Sequence, residues 1–223
     1  MNTIVHLVLL SIARATQRRG RPLLLALAVL VMPLFAAHAQ STDPEWPCIQ
    51  VLVPEIVTAV MWPEVIPEEN RGLWKEDPDV ARLARKLGDL ERYTDTEREL
   101  VQEFVDRTPE NLRLEKLNLL ADGIVSVANE RRKLYISGIK RYTRQQIAIA
   151  LQIEDTLNLL GEMQDKNDAE TLAQKAEVEE TLQWHERVYD QREHAIIALC
   201  ERPVELEEVL SDVVRDVASH IPY

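Results

Sequence analysis

From about residue 79 onward, apolar positions recur at spacings of three and four with few interruptions. Val80, Leu83, Ala84, Leu87 and Leu90 form one stripe, which predicts an amphipathic helix over about 79–93. Asp77-Pro78 before it is an N-cap followed by an N1 proline. Thr94-x-x-Glu97 reads as a capping box. Leu100, Val101, Phe104 and Val105 then give a second helix ending near Arg107. Thr108-Pro109 repeats the cap-plus-proline start signal.

No proline falls between Pro109 and Pro203. Leu117, Leu120, Ile124, Val127, Leu134, Tyr142, Ile149, Ile153, Leu157, Leu160 and Met163 predict one very long helix, with a phase slip around Arg131 and Gly138. At about 1.5 Å per residue this arm spans roughly 80 Å. The polar run Gln164-Asp165-Lys166-Asn167-Asp168 predicts the reversal, with Gly138 as the competing position. Val178, Leu182, His185, Tyr189, Arg192, Ile196 and Leu199 mark the return arm, and polar members of such a seam tend to set register. Arg202-Pro203 is expected to break it, by a kink rather than a reversal, before a last helix over 204–220. Pairing the arms about the turn places Cys200 opposite the neighbourhood of Lys133, with the two short helices beside the N-terminal half of the long one.

The segment from Gln40 to Pro78 is different. It holds Pro44, Pro47, Pro54, Pro63, Pro67 and Pro78, which exclude a long helix. Yet Trp46, Trp62 and Trp74 and the run Ile49, Val51, Leu52, Val53, Ile56, Val57, Val60, Met61 are too apolar for a solvated linker. The expectation is an extended strap whose apolar residues are covered by the helices, each Trp filling a groove. The fold class is therefore all-α: a small helical base, a long antiparallel coiled-coil-like helical hairpin, and a Pro-rich N-terminal strap. The organisation is 1–39 leader, 40–78 strap, and 79–223 helical domain with hairpin 109–201 and C-terminal helix 204–220.

The leader reading rests on Arg14, Arg18, Arg19 and Arg21 ahead of the apolar run Leu23 to Ala37 and the Ala37-His38-Ala39 cleavage pattern. The run is shorter than the roughly 20 residues of a membrane span, so cleavage is favoured over a retained anchor. Gly20-Arg21-Pro22 after the paired arginines favours general secretion over the twin-arginine route, and a periplasmic location follows. The partly apolar stretch Ile4 to Leu10 also allows a start codon further downstream. Removing 39 residues removes four arginines and no acids, taking the formal net charge from −12 to −16. That excludes nucleic acid as a partner and adhesion to anionic lipid by bulk charge. Membrane contact is expected only through the leader, if uncleaved. In an oxidising compartment the two cysteines, Cys48 and Cys200, read as a disulfide rather than free thiols.

Chemistry-bearing motifs are scarce. Gln191 precedes His194 by three positions and Leu182 precedes His185 by three, so neither makes the Glu-x-x-His pair of a di-iron bundle. There is no His-Glu-x-x-His, Cys-x-x-Cys, Gly-x-Ser-x-Gly or Gly-rich phosphate loop. Glu186 with His194, or Glu193 with an acid of the outgoing arm, is the weak metal alternative. No catalytic residue and no cofactor is expected.

Charge layout is the directional feature. Arg131, Arg132, Lys133, Lys140, Arg141 and Arg144 form a basic band on the outgoing arm. From Glu154 to Glu180 the tip carries nine acids, Glu177, Glu179 and Glu180 among them, against Lys166 and Lys175. Either the band pairs with acids of neighbouring helices, or band and tip are docking surfaces for protein partners or a second copy. The leading expectation is an exported, non-enzymatic helical protein that mediates protein–protein contacts. A small-ligand or metal-binding module under the strap is the alternative, and an exported helical-bundle enzyme comes third.

Overall fold

The computed structural model describes residues 43–222; the leader assigned to 1–39 lies outside the described residues. The described chain is mostly helical and contains no strand. Its elements are a single turn α1 (Thr58–Met61), 3-10 turns at Glu68–Asn70 and Leu73–Lys75, α2 (Pro78–Gly88), α3 (Asp95–Arg107), α4 (Glu110–Glu162) and α5 (Ala169–Ser219).

Local chemistry sets the helix starts. The Asp77 carboxylate accepts from the N–H groups of Asp79 and Val80 at 3.0 and 3.1 Å, with Pro78 at the first helical position. At α3 the Glu97 carboxylate accepts from the Thr94 N–H at 3.1 Å and from the Thr94 hydroxyl. These contacts hold the Glu97 carboxyl below its usual range. Asp168 caps α5, accepting from the Thr171 N–H at 2.9 Å.

Three expectations are corrected. The first helix stops at Gly88 instead of near 93, the backbone leaving helical geometry at Asp89 where Gly88 lies tight against α4. A Cβ on Gly88 would lie 2.7 Å from the Ile124 carbonyl oxygen. Thr108 does not open the long helix. Its hydroxyl donates back to the Phe104 carbonyl at 2.7 Å, closing α3, and α4 begins one residue after Pro109. Pro203 does not divide the return arm, since Ala169–Ser219 is one helix with Pro203 buried inside it. An interior proline cannot donate to the carbonyl four residues back and crowds that turn. The carbonyl so deprived is that of Leu199; the next one, Cys200 O, accepts from the Gln50 side-chain amide at 2.6 Å, which ties the strap to this turn.

α4 and α5 pack in opposite directions, as the pairs Tyr142–Arg192 and Gln146–Tyr189 show. The main core gathers at their outer ends, from α2, α3, the first half of α4 and the last part of α5. Val80, Leu87, Leu117, Leu120, Ile124 and Val213 are among its fully buried members. Close approach is built in by a second glycine: a Cβ on Gly123 would meet Ala84 Cβ at 2.7 Å and the Trp74 ring at 2.9 Å. At the far end, Met163 to Asp168 form the connection, and α4 runs through Gly138 without a break.

Candidate interaction site

The strap is fixed along α4 by a row of polar side chains spaced so that they share one side of that helix. Asn118 Oδ1 accepts from the Trp62 indole N–H at 2.7 Å, and Asp122 accepts from the Gly72 N–H at 2.8 Å. Asn129 pairs with Ile56 as a neighbouring strand would, accepting its N–H and donating to its carbonyl, both at 2.8 Å. Arg132 donates to the Val53 carbonyl at 2.9 Å. Lys140 and Arg144 meet Asp43 and Glu45, each at 2.6 Å. An extended segment has no ladder of its own, and buried backbone polar groups need partners; α4 provides them. The Asp43 carboxyl lies below its usual range because Lys140 donates to it and the Glu45 N–H does so as well.

Beside this row lies the disulfide. Cys48 and Cys200 are bonded, with their Cα atoms 5.5 Å apart. Trp46, Cys48 and Ile139 form a small second core against Leu52, Ile136, Leu199 and Cys200. Cys200 therefore sits by Ile136 and Ile139, about one turn further along α4 than the Lys133 neighbourhood. The bonded pair is compatible with an exported protein, and no described helix is long and apolar enough to cross a membrane.

The strap tryptophans are buried, at 3–5% exposure. The apolar run between them is not covered as expected, because an extended chain alternates its side chains and only one face lies on the helices. Trp46 and Cys48 point inward, with Gln50 and Leu52 half-buried, while Pro47, Ile49, Val51 and Val53 point outward. Ile49 is fully exposed, and Val57 and Val60 are exposed as well. Beside Ile49, Ile197 and Val204 of α5 are 66% and 40% exposed. Together with Pro47 they line an open cleft of about 620 Å³, edged by Glu201, Glu205 and Glu208.

The basic band is largely engaged. Arg131 bonds Asp89 at 2.9 Å, Glu91 at 3.3 Å and the Tyr135 hydroxyl at 2.8 Å. Arg132, only 3% exposed, pairs with Glu207 of α5. Lys140 and Arg144 hold the strap acids, whereas Lys133 and Arg141 are exposed. Glu177, Glu179 and Glu180 are exposed on α5.

Where the core stops, Arg192 locks the two long helices. It lies 4.0 Å from the Tyr142 ring centroid and donates to Gln146 at 3.2 Å, while the Tyr142 hydroxyl donates to the Arg192 carbonyl at 3.1 Å. Towards the connection from this lock His185 is half-buried beside Trp184, and on its core side His194 is exposed. Among the described residues no group of three or more His, Cys, Asp or Glu is placed to hold a metal.

The polar row Asn118, Asp122 and Asn129 went unread in the sequence. Its signal was asparagine and aspartate recurring inside a long helix, where they are intrinsically unfavourable. Comparison with known proteins finds no family model, no curated protein and no solved structure that matches this chain.

Proposed function

We propose that this is an exported, non-enzymatic helical protein that mediates protein–protein contacts in a periplasm. Its role would be that of an envelope adaptor, scaffold or chaperone-like protein working through a long, coiled-coil-like helical hairpin. One observation carries the reading. Between Gln146 and Pro203 neither long helix has a fully buried residue. Leu151, Leu157, Leu172 and Trp184 are exposed there, Leu151 and Trp184 each at 55%.

Large apolar side chains that a two-helix seam leaves in water are available for contact, and the proposed contacts would use them. A long arm with little core of its own suits recognition better than catalysis, which needs groups held rigidly about a reacting centre. The acids of the tip, Glu177, Glu179 and Glu180, would steer a partner carrying positive charge.

The test is co-purification of crosslinked partners from native envelope with wild type and a Glu177→Lys, Glu179→Lys, Glu180→Lys variant. Weaker recovery at an unchanged melting temperature supports the tip as a contact surface. Equal recovery would return these acids to the role of a solvated face.

A further inference from the structure

We propose that the cleft beside the disulfide is a docking site for a basic amphipathic helix of a partner protein. The inference rests on the reading that the protein works through protein contacts, but it concerns a surface separate from the acidic tip.

The shape comes first. Ile197 and Val204 are one heptad apart on α5 and both exposed, which is the spacing that a helix laid alongside engages with its own apolar seam. Pro47 and Ile49 of the strap form the facing wall, so an apolar trough lies between a helix and an extended segment. The fully exposed Ile49 and the continuing outward row of Val51 and Val53 are left in water by the described chain.

The charge decides what fits. Spacings of three and four place Glu186, Asp190, Glu193, Glu201 and Glu208 on the same side of α5 as Ile197 and Val204. All five are exposed. An acidic helix or an anionic bilayer would meet this row with like charge. A helix with apolar residues along one side and Lys or Arg flanking them would meet both features at once. Exposed ion pairs add little affinity individually, so the apolar trough supplies the binding and the carboxylates supply the selection.

The disulfide builds the site. Ile49 and Pro47 flank Cys48, and the bond to Cys200 holds them against α5. The site therefore depends on oxidation, and the two bonded cysteines themselves line the cleft.

The test uses the full oxidised protein and two synthetic three-heptad helices of equal apolar face, one flanked by lysine and one by glutamate. Binding is read by fluorescence anisotropy. The lysine helix should bind, more weakly as salt rises, and the glutamate helix should not. Ile197→Ser with Val204→Ser should weaken binding by about tenfold or more, and Cys48→Ser with Cys200→Ser should do the same. The charge-reversed tip variant should bind as wild type does. Circular dichroism checks that each variant remains helical, and Ile197→Ser alone is the fallback because that side chain is exposed. Equal binding by wild type and the Ile197→Ser, Val204→Ser variant overturns the proposal, as does loss only in the tip variant. Binding of the glutamate helix would also overturn it. A dimer by light scattering that Ile197→Ser dissolves would assign the cleft to a second copy instead. Failure here with tip-dependent partner recovery intact would leave the arm reading standing, so the two are distinguishable.

Discussion

At the scale of single residues, two glycines permit the close approach of α2 to α4. Neither Gly88 nor Gly123 has room for a Cβ. The obstructing atoms at Gly88 include the Ile124 backbone carbonyl oxygen, which cannot swing aside. Gly88→Ala and Gly123→Ala should each destabilise the fold by about 1–3 kcal/mol, the range for overpacking a tight contact. Gly138→Ala, where a Cβ meets nothing within 4 Å, should be neutral or stabilising by up to about 1 kcal/mol. Urea denaturation of the three variants checks the contrast, and equal effects at all three sites would contradict it.

Asp43 supplies a pH-dependent residue. Its carboxyl titrates below the ordinary value, chiefly because Lys140 donates to it. A depressed folded value stabilises above the unfolded pKa of about 3.9 and ceases to do so as pH falls through the folded value. Below about pH 4, then, the start of the strap should loosen first. Amide exchange at Glu45 and Trp46, whose N–H groups bond Asp43, should accelerate relative to intrinsic rates while α2 and α4 stay protected. Unchanged protection of those two amides at pH 3 would contradict this.

At the scale of elements, legibility followed locality. The starts of α2 and α3 could be read because a cap depends on residues within three or four positions, as at Asp77 and Thr94. Pro203 is a local break signal, but the helix runs through it with the proline fully buried, and that burial is a tertiary feature no neighbouring residue records. The covering of the strap was misread for a related reason. Composition records how apolar Ile49, Val51 and Val53 are, whereas the period-two geometry of an extended chain decides which residues turn inward. Within the candidate site the cysteines could be singled out, but Asn118, Asp122 and Asn129 could not, since hydrogen-bonding a distant backbone leaves no local pattern.

The strap also yields the element-scale prediction. The bond between Cys48 and Cys200 spans a sequence separation of 152, and closing so long a loop removes on the order of 5 kcal/mol of unfolded-chain freedom, an upper figure. Reduction should lower stability and expose Trp46, whose indole N–H bonds the Gln50 carbonyl at 2.8 Å. Trp74, packed against Gly123, should stay buried and helix content should hold. Red-shifted fluorescence retained in Trp62→Phe but lost in Trp46→Phe would show this. Collapse of the helical signal on reduction would mean instead that the strap is needed for the helices themselves.

At the scale of the whole molecule, the described chain divides its labour by burial. Fully buried core residues lie where α2, α3 and the strap meet the outer parts of the two long helices. From the Arg192 lock to the Met163–Asp168 connection the helices have only each other, and their exposed leucines and Trp184 are what the proposed contact role would use. Contact through the arm is tested most directly by photo-crosslinking in cells, with a benzophenone side chain at Leu151 or Trp184 and, as control, at the exposed Arg82 of α2. Discrete adducts of defined mass are expected from Leu151 and Trp184, reduced by competing unlabelled protein and absent at Arg82. Uncrosslinked chain at both arm positions, or the same adducts at Arg82, would contradict it.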